Sequence, residues 1–306
     1  MAKVLIATVK PFSAEAVEEV KGVFKKAGYE VEVLSKYPDQ SDLIGAVADV
    51  DALIIRSDNV DREVLEAAKN LKIVVRAGAG YDNVDLEAAT DHGVVVMNTP
   101  GQNSNAVAEL VLGMMVFMNR NRFTPAAGSE LRGKKLGIHA YGAVGRIVGM
   151  VAKGFGMKVY AYDPFVDSVI IKNDGVVCEE SVQGLYSKCE YISLHIPAND
   201  ETKGSVNFDL LNMMPEGATL INTARKEVID EAGLVKMFKE RGDFRYLSDI
   251  APACKDDLEV QFKERVFFTP KKMGAQTAEA NLNAGVAAAR QIVGFLEKGE
   301  TTFKVN

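Results

Sequence analysis

Short apolar runs rich in β-branched residues alternate along the chain with stretches of helical periodicity. The first series of runs lies at 4–9, 31–34, 52–55, 73–75 and 94–96. Between the runs, over about ten residues, apolar positions recur every three or four. Such alternation predicts βα units, and therefore a parallel sheet with helices on its faces.

A second series of apolar runs follows between residues 135 and 269. Two series in a chain of 306 residues agree with the number of domains expected from its length. The sequence therefore predicts two α/β units, each built on a parallel sheet. The runs of the second series lie at 135–140, 158–162, 191–196, 218–223, 245–250 and 266–269.

Two predicted helices carry apolar residues that must be buried against another element. The segment 103–120 is apolar nearly all round, and Ser104 or Asn105 is its predicted N-cap. A helix of this kind is buried, either between domains or against a second subunit. The last predicted helix, at 277–296, carries apolar residues at helical spacing and must also pack on another element.

The composition narrows the classes of function. The net charge of −6 argues against a nucleic-acid partner, which would favour a basic face. No apolar run reaches the roughly 18 residues of a membrane span, and the N-terminal run is too short for a signal peptide. Cys178, Cys189 and Cys254 are widely spaced, which favours neither a disulfide framework nor a metal site. We expect a cytoplasmic protein without a metal or a membrane partner.

A glycine-marked turn follows the first strand of the second series. The stretch K-K-L-G-I-H-A-Y-G-A-V-G-R, at 134–146, runs from a strand through this turn into a helix. It departs once from the dinucleotide fingerprint G-x-G-x-x-G, because Ala140 stands at the first glycine position. We expect the turn to survive with Ala140 at negative φ, and the helix N-terminus to hold a pyrophosphate. The predicted cofactor-binding residues of this turn are Ala140, Tyr141, Gly142, Ala143, Val144 and Gly145.

An acidic residue ends the next strand of this series. Asp163 follows the run K-V-Y-A-Y about 20 residues after the glycines, where a carboxylate can hydrogen-bond the adenosine ribose. Because a carboxylate repels a 2′-phosphate, the motif favours NAD over NADP. The alternative is a glycine-rich turn with an incidental aspartate on a surface loop.

Three further stretches carry a family resemblance. They are R-A-G-A-G-Y-D-N-V-D at 76–85, L-H-I-P at 194–197 and M-P-E-G-A-T-L-I-N-T-A-R-K at 214–226. Together with the glycine turn, they make the chain similar to the D-isomer-specific 2-hydroxyacid dehydrogenases over essentially its whole length. Within that family it most resembles the short phosphoglycerate dehydrogenases, for which no C-terminal regulatory domain is expected.

The resemblance implies an architecture. Two Rossmann-like or flavodoxin-like parallel-sheet domains are expected, with the nucleotide domain inserted into the substrate domain. The substrate-binding domain would comprise 1–98 and 275–306, and the NAD-binding Rossmann domain 99–274. The resemblance also places the active site in a cleft between the domains and implies a homodimer built around the helix at 103–120.

Roles for single residues follow from the same resemblance. Arg225 matches the arginine that holds the substrate carboxylate and polarises the C2 oxygen, a bidentate task for a guanidinium. Backbone N–H groups of Ala77 and Gly78 match a cradle for that carboxylate, although a plain tight turn would use the same residues. Asn103 matches a substrate-side asparagine, or is a helix N-cap. The residues that match the cofactor side, together with Arg225, are His195, Pro197, Thr202, Thr223, Ala224 and Asp249.

A phosphorylated 2-hydroxy acid as substrate requires further cations. Arg56, at the end of a strand in L-I-I-R-S, is the first candidate, with Ser57 and Arg76 beside it. Lys36 and Lys10 are weaker candidates, because most lysines lie in solvent.

The catalytic pair of the family is missing. Most members carry a histidine in T-P-H-I-G and a glutamate shortly after the strand-end aspartate. Here P-K-K-M-G places Lys272 at the histidine position, and Cys254 stands at the glutamate position. The loop near Cys254 offers Asp256, Asp257 and Glu259, but in uncertain register. None of the chain's three histidines lies at the expected place.

A lysine base fits the loss of both residues. Oxidation of a 2-hydroxy acid needs a base for the hydroxyl proton, and a base works best with a pKa near the operating pH. The pKa of free lysine, about 10.4, would have to fall by about three units. Partial burial, Arg225, Lys271 and the positive ring of NAD+ would lower the pKa of Lys272, whereas a glutamate would raise it. The alternative is a pair of solvated lysines in a loop.

The sequence leaves three functions open. The first is NAD-dependent oxidation of 3-phospho-D-glycerate to 3-phosphohydroxypyruvate, the first step of serine biosynthesis, with Lys272 as proton acceptor. The second is reduction of hydroxypyruvate or of another D-2-hydroxyacid precursor. The third is an NAD-binding sensor whose catalytic pair has decayed. Retention of Arg225 argues against the sensor, since a sensor has no use for a carboxylate-binding arginine.

Overall fold

The computed structural model describes residues 1–306 and divides the chain into two compact units. The first unit comprises Met1–Asn103 with Ala275–Asn306, and the second comprises Ser104–Gly274. Along the chain, the second unit is therefore inserted into the first. The assignment of substrate binding to 1–98 with 275–306, and of NAD binding to 99–274, stays a prediction.

Each unit is built on one parallel sheet. The twelve strands are β1 (Lys3–Thr8), β2 (Glu30–Ser35), β3 (Ala52–Ile55), β4 (Ile73–Arg76), β5 (Val95–Asn98), β6 (Lys135–His139), β7 (Lys158–Tyr162), β8 (Val177–Cys178), β9 (Tyr191–Leu194), β10 (Thr219–Asn222), β11 (Arg245–Ser248) and β12 (Val266–Phe268). The first sheet has the order β2-β1-β3-β4-β5, and the second has the order β12-β11-β10-β9-β6-β7-β8. All strand pairs in both sheets are parallel. The prediction of two parallel-sheet α/β domains is confirmed.

Helices connect the strands. They are α1 (Ala14–Lys26), α2 (Gln40–Ala46), α3 (Arg62–Ala67), α4 (Leu86–Asp91), α5 (Ser104–Asn119), α6 (Ala143–Gly154), α7 (Ser168–Asn173), α8 (Val182–Lys188), α9 (Phe208–Asn212), α10 (Glu231–Glu240), α11 (Lys255–Phe262) and α12 (Ala278–Lys298). Short 3-10 turns occupy Asn121–Phe123, Lys226–Val228 and Lys263–Arg265. None of the helices combines the length and the apolar character needed to cross a lipid bilayer.

The last helix, α12, covers α1 and the sheet of the first unit. The side chain of Thr277 caps it by accepting a hydrogen bond from Ala280 N at 3.1 Å, and Gly299 ends it at a left-handed φ of 70°. Small residues let it approach α1 closely, since a Cβ at Gly285 would lie 3.0 Å from Val20 Cγ2. The apolar positions predicted for this helix are thus packed against α1 and the sheet of the first unit.

The start of α5 differs from expectation. The helix begins at Ser104, which has 1% exposure and lies inside the first turn. The prediction of an N-cap at Ser104 or Asn105 is wrong, because the helical turn starts earlier and a cap precedes the first helical residue. Along most of its length α5 contributes to the hydrophobic core of the second unit.

Candidate functional site

The glycine turn joins β6 to α6 at the point where the second sheet changes direction. Strand β6 lies between β9 and β7. The chain continues from β6 to β7 and β8 on one side, and then crosses to β9 and the later strands on the other side. In open parallel sheets, ligands bind at such a point outside the carboxyl ends of the strands. Gly142 is the N-cap of α6. None of the N–H groups at 142–145 donates to another group of the chain, so they can receive an anion.

The backbone at Ala140 is strained. Its φ is 77°, in the left-handed region, so the prediction of a negative φ is wrong. Hydrogen bonds to the end of β7 impose this conformation. Ala140 N donates to Tyr162 O at 2.9 Å, and Tyr141 N donates to Asp163 Oδ2 at 2.7 Å. A residue with a Cβ adopts this conformation at a cost of about 1–2 kcal/mol, which glycine at the same position avoids.

Gly142 and Gly145 are glycines for different reasons. A Cβ at Gly145 would collide with Ala140 O and lie 3.0 Å from Ile138 Cγ2, so this glycine lets α6 pack on β6. A Cβ at Gly142 would meet nothing in the chain. The φ of Gly142, −75°, is also open to any residue. The fold does not require a glycine there, but a pyrophosphate that approaches the backbone does.

Asp163 lies at the end of β7 with its carboxylate fixed by the backbone. Oδ2 accepts from Tyr141 N at 2.7 Å, and Oδ1 accepts from Phe165 N at 2.9 Å. A carboxylate has about four lone-pair sites, so each oxygen can still accept a hydrogen bond from a ribose hydroxyl. The half-buried side chain is thus oriented before any ligand arrives.

The side chain of Tyr141 anchors the turn. It has 1% exposure, and its hydroxyl donates to Asp174 Oδ2 at 3.2 Å. Asp174 also forms an ion pair with Arg146 of α6 at 2.9 Å. Sequence reasoning named Tyr141 only as part of the motif and missed this anchor, because Asp174 has no fixed spacing from the fingerprint.

Two histidines lie side by side at the ends of β6 and β9. His195 N donates to His139 O at 2.9 Å, and His195 Nε2 lies 2.9 Å from Ser193 Oγ. Burial lowers the pKa of His139 to about 4, although negative Asp163 acts in the opposite direction. Burial and the neighbouring His139 lower the pKa of His195 to about 3. Both rings are therefore neutral near pH 7.

The loop after β9 is closed by Thr202. Its Oγ1 donates to Pro197 O at 2.6 Å, and its N–H donates to Asn199 O at 3.2 Å. Pro197 is exposed and Thr202 half-buried. The cofactor contacts assigned to Pro197 and Thr202 stay predictions.

Arg225 follows β10 on a turn that Asn222 builds. Asn222 is fully buried, its Oδ1 accepts from Ala224 N at 2.9 Å, and its Nδ2 donates to Arg225 O at 2.9 Å. These local bonds are typical of an asparagine that forms its own turn. Thr223 Oγ1, inside the same turn, is buried without a hydrogen-bond partner. Sequence reasoning quoted Asn222 as part of the motif but did not recognise that it shapes the turn.

Asp249, at the end of β11, binds the turn that carries Lys272. Its side chain has 1% exposure, and its Oδ2 accepts from Gly274 N at 2.7 Å. Burial raises the pKa of Asp249, while the Gly274 N–H and the positive charges of Lys272 and Arg225 act in the opposite direction. Asp249 thus lies between the turn that carries Lys272 and the end of β10, after which Arg225 follows.

Lys272 is exposed. The partial burial expected for it is wrong, because the turn at 269–273 projects beyond the end of β12 and Gly274 enters the core instead. A Cβ at Gly274 would lie 2.8 Å from Asp249 Oδ2 and 3.3 Å from Val107 Cγ2.

Cys254 supplies no negative charge. Burial and the adjacent carboxylate of Glu231 raise the pKa of its thiol to about 12. Asp256, Asp257 and Glu259 lie on α11 rather than in a loop, since this helix begins directly after Cys254.

In the first unit, the guanidinium of Arg56 follows β3 and is largely committed to the chain. Nη1 donates to Lys10 O at 2.9 Å and to Pro11 O at 3.1 Å, and Nη2 donates to Asn281 Oδ1. The guanidinium carbon lies 5.0 Å from the centre of the Phe12 ring. Burial lowers the pKa of Arg56. Nε and one Nη2 hydrogen remain for a phosphate.

The turn after β4 contains the predicted carboxylate cradle. Ala77 N donates to Ile55 O at 2.8 Å, and Gly78 N donates to Arg76 O at 2.8 Å. Gly78 has a φ of 152°, and a Cβ there would collide with the Arg76 guanidinium. The positive φ accounts for this glycine without a ligand, whereas the flexible end of the Arg76 side chain could move aside. The cradle stays a prediction.

Two further predicted residues of the first unit are Ser57 and Asn103. Ser57 is exposed next to Arg56. Asn103 precedes the first residue of α5, but its Oδ1 is buried without a hydrogen-bond partner and therefore caps nothing. An unpartnered buried oxygen fits a ligand-facing role better than a capping role.

The second unit carries a donor and acceptor set that fits a dinucleotide. Thr223 Oγ1 and Asp249 Oδ1 are buried atoms without partners, at the ends of the neighbouring strands β10 and β11. Buried polar atoms are rarely left unpaired in a complete site. Together with the N–H groups at 142–145 and Asp163, they lie along the carboxyl edge of one sheet, where a dinucleotide binds in this fold.

A family model covers nearly the whole chain. The model described as "D-isomer specific 2-hydroxyacid dehydrogenase, catalytic domain" matches residues 4–306. The chain belongs to this family. The resemblance read from the sequence motifs is thereby confirmed.

Solved and curated relatives agree with this membership. A crystal structure of NAD+-bound 3-phosphoglycerate dehydrogenase from Entamoeba histolytica is 45% identical, with a TM-score of 0.92 and coverage of 100% of this chain and 98% of that one. The hydroxypyruvate reductase of Thermotoga maritima is 33% identical over 288 residues, 88% of this chain and 92% of the relative.

Some relatives are much longer. The D-3-phosphoglycerate dehydrogenase of Methanocaldococcus jannaschii is 33% identical over 308 residues, which is 95% of this chain. The match spans 57% of that relative's length. Its activity therefore belongs to a protein nearly twice as long.

Proposed function

We propose that the chain is an NAD-dependent dehydrogenase that oxidises 3-phospho-D-glycerate to 3-phosphohydroxypyruvate, feeding serine synthesis. The observation that carries this proposal is the arrangement around Asp249. Arg225, a cation suited to a substrate carboxylate, follows β10, and Asp249 follows the neighbouring strand β11. Asp249 Oδ2 accepts a hydrogen bond from Gly274 N at 2.7 Å, two residues beyond Lys272, the candidate base. All of these residues lie in the unit that carries the dinucleotide turn.

The cofactor is NAD in this proposal. The N–H groups at 142–145 would hold its pyrophosphate and Asp163 its adenosine ribose, while Thr223 Oγ1 and Asp249 Oδ1 would gain the partners that they lack. When bound, NAD accepts the hydride from C2 of the substrate. The carboxylate of Asp163 disfavours a 2′-phosphate, and the Entamoeba relative was solved with NAD+.

Arg225 would bind the substrate carboxylate and polarise the C2 oxygen. Its turn is fixed by the two hydrogen bonds of Asn222, so the guanidinium projects from a rigid base. For the phosphate, the first unit offers Arg56, Ser57 and Arg76. The guanidinium of Arg56 is oriented by Lys10 O and Pro11 O before a ligand binds.

Lys272 would take the hydroxyl proton as the C2 hydride leaves, so that the C2–O bond becomes a carbonyl. For this it must be neutral near the working pH. As positive neighbours, Arg225 and Lys271 would lower its pKa, and Cys254, whose thiol pKa is raised to about 12, would add no negative charge.

We also propose a homodimer that forms on the outward face of α5. This face contains the exposed residues Asn105, Glu109 and Gly113. A Cβ at Gly113 would meet nothing in the chain, yet glycine in a helix interior costs about 1 kcal/mol relative to alanine. A second α5 packed antiparallel at Gly113 accounts for this choice, because a glycine at the two-fold axis lets the two helices approach closely.

A second candidate function is reduction of hydroxypyruvate. The Thermotoga relative favours it, because the chain matches 92% of that protein's length. The same Arg225 and Lys272 would then bind the keto acid and donate a proton to the C2 oxygen. The discriminating feature is the phosphate, since a reductase of hydroxypyruvate does not need the cation of Arg56.

The decisive assay follows NADH formation with 3-phospho-D-glycerate, D-glycerate and D-lactate at pH 7 to 9. We expect kcat/KM to be highest for 3-phospho-D-glycerate, and Arg56→Leu to reduce that preference. A preference for D-glycerate in oxidation, and for hydroxypyruvate in reduction, would favour the second function. NAD binding without turnover of any acid would favour a sensor.

A further inference from the structure

Glu231, the first residue of α10, binds the loop that follows β11. Its Oε1 accepts from Ala253 N at 2.8 Å, and its Oε2 accepts from Cys254 N at 2.9 Å. One carboxylate thus receives two consecutive backbone N–H groups. Charge-assisted bonds of this kind are about twice as strong as neutral ones, so the pair fixes the end of the loop.

Glu231 binds the chain at the position where the glutamate of the family pattern is missing. Cys254 stands where the family pattern has glutamate, and its thiol is neutral because burial and Glu231 raise its pKa to about 12. The carboxylate of Glu231 lies against the N–H of this same residue. A negative charge is therefore present beside position 254 although residue 254 is not acidic.

The other end of the loop is also fixed. Ser248 Oγ donates to Asn222 O at 2.8 Å and accepts from Ile250 N at 3.0 Å. Asp249 stands between these contacts and binds Gly274 N at 2.7 Å. The segment 249–254 is thus held by β10 at one end and by α10 at the other, with the anchor of the Lys272 turn inside it.

We propose that Glu231 is a positioning residue of the active site. By binding the N–H groups of Ala253 and Cys254, it holds segment 249–254, and through Asp249 it holds the turn that carries Lys272. Its effect on turnover rests on the proposed function, whereas its effect on the segment does not. Glu231 thereby fixes the backbone at residue 254, where the family pattern has its glutamate.

Glu231→Gln tests the proposal. An amide can accept only one of the two N–H bonds, and its NH2 group faces the other N–H donor. We expect kcat with 3-phospho-D-glycerate to fall at least about tenfold. We expect the Kd of NAD to change less than about twofold and the melting temperature to change by no more than a few degrees. Glu240→Gln, at the other end of α10, is the matched control and should keep the wild-type kcat.

A second readout does not depend on activity. In Glu231→Gln the half-buried Cys254 thiol loses its negative neighbour, and the backbone at residue 254 loses one of its anchors. Alkylation of Cys254 by iodoacetamide, followed by mass spectrometry of its peptide, should therefore accelerate at least about tenfold at pH 8. The rate at Cys189, which is buried in the core, should not change. Cys254→Ser retains the backbone N–H bonds and should retain the wild-type kcat.

The outcomes separate the proposal from the proposed function. If the wild type oxidises no D-2-hydroxy acid, the proposed function fails, and the alkylation rate alone decides whether Glu231 holds the segment. Unchanged kcat in Glu231→Gln would overturn the positioning role in an active enzyme. Equal losses of kcat, NAD affinity and melting temperature would also overturn it, by showing a general folding defect. If Glu231→Gln does not fold, Glu231→Asp, which keeps the charge but shortens its reach, is measured in the same way.

Discussion

Gly274 N donates a hydrogen bond to Asp249 Oδ2 at 2.7 Å, two residues beyond Lys272. This bond connects the end of β11 to the turn after β12, so the candidate base is held by a residue on a neighbouring strand. No room is left for a side chain at residue 274, because a Cβ at Gly274 would lie 2.8 Å from Asp249 Oδ2. The position of Lys272 therefore depends on a glycine and a buried carboxyl group.

Gly274→Ala should displace the Lys272 turn. The new methyl group would push against Asp249 Oδ2 and Val107, and the hydrogen bond would lengthen or break. We expect kcat to fall about 10-fold to 100-fold, since small misplacements of a reacting group have effects of that size. The Kd of NAD, measured by fluorescence titration, should change less than about threefold. Wild-type kcat in this variant would show that the turn tolerates the shift.

Gly142→Ala and Gly145→Ala should separate cofactor binding from folding. A Cβ at Gly142 meets nothing in the chain, so the first variant should keep its melting temperature within a few degrees and lose NAD affinity at least about tenfold. A Cβ at Gly145 collides with Ala140 O, so the second should unfold at lower denaturant concentration. Equal NAD affinity in Gly142→Ala and the wild type would argue against a pyrophosphate at this turn.

Ala140→Gly should stabilise the second unit. The left-handed backbone at Ala140 costs about 1–2 kcal/mol, and glycine removes this cost while losing up to about 1 kcal/mol through greater freedom of the unfolded chain. We expect the free energy of unfolding to rise by about 0.5 kcal/mol in urea titrations. Ala143→Gly is the control, since it lies in α6 at helical φ and should be destabilising. A lower stability of Ala140→Gly would contradict the strain.

Because His139 and His195 are buried and neutral, we expect the stability of the fold to decrease in acid. The pKa of His139 is lowered to about 4 and that of His195 to about 3, both below the unfolded value of 6.5. Between pH 6.5 and these values, the unfolded chain binds more protons than the folded one. The free energy of unfolding should therefore fall as pH decreases, by up to about 1.4 kcal/mol per unit for each ring.

Urea titrations between pH 4 and pH 8 measure this effect. His139→Phe removes one titrating ring, so its stability should fall less steeply below pH 6.5 than that of the wild type. Identical slopes for the two proteins would show that His139 does not titrate as its burial implies.

The fold was largely predictable because both sheets are parallel and their central strands are buried on both faces. Their strands appear in the sequence as separate apolar runs, and the runs predict every strand except β8. Strand β8 has two residues at the edge of its sheet, too few to give a period. The predicted cap of α5 at Ser104 or Asn105 was wrong because the helix already begins at Ser104, which is buried inside the first turn.

The site was predictable only where a local motif specifies the chemistry. The glycine turn, Asp163 and Arg225 stand in short patterns that carry their own structural context. The conformation of Ala140, the anchor between Tyr141 and Asp174, and the hold of Glu231 on Cys254 depend on residues distant in sequence. No spacing rule connects such pairs. The exposure of Lys272 likewise depends on how far its turn projects beyond β12.

Lys272→Ala, with Lys271→Ala as its control, tests whether Lys272 accepts the substrate proton. The two lysines are adjacent and exposed, so loss of either should leave the fold and the Kd of NAD unchanged. NADH formation with 3-phospho-D-glycerate should fall by about 10²–10⁴ in Lys272→Ala, the usual contribution of a general base, and by less than about threefold in Lys271→Ala. Near-normal turnover in Lys272→Ala would show that Lys272 does not accept the substrate proton and would remove this lysine from the mechanism.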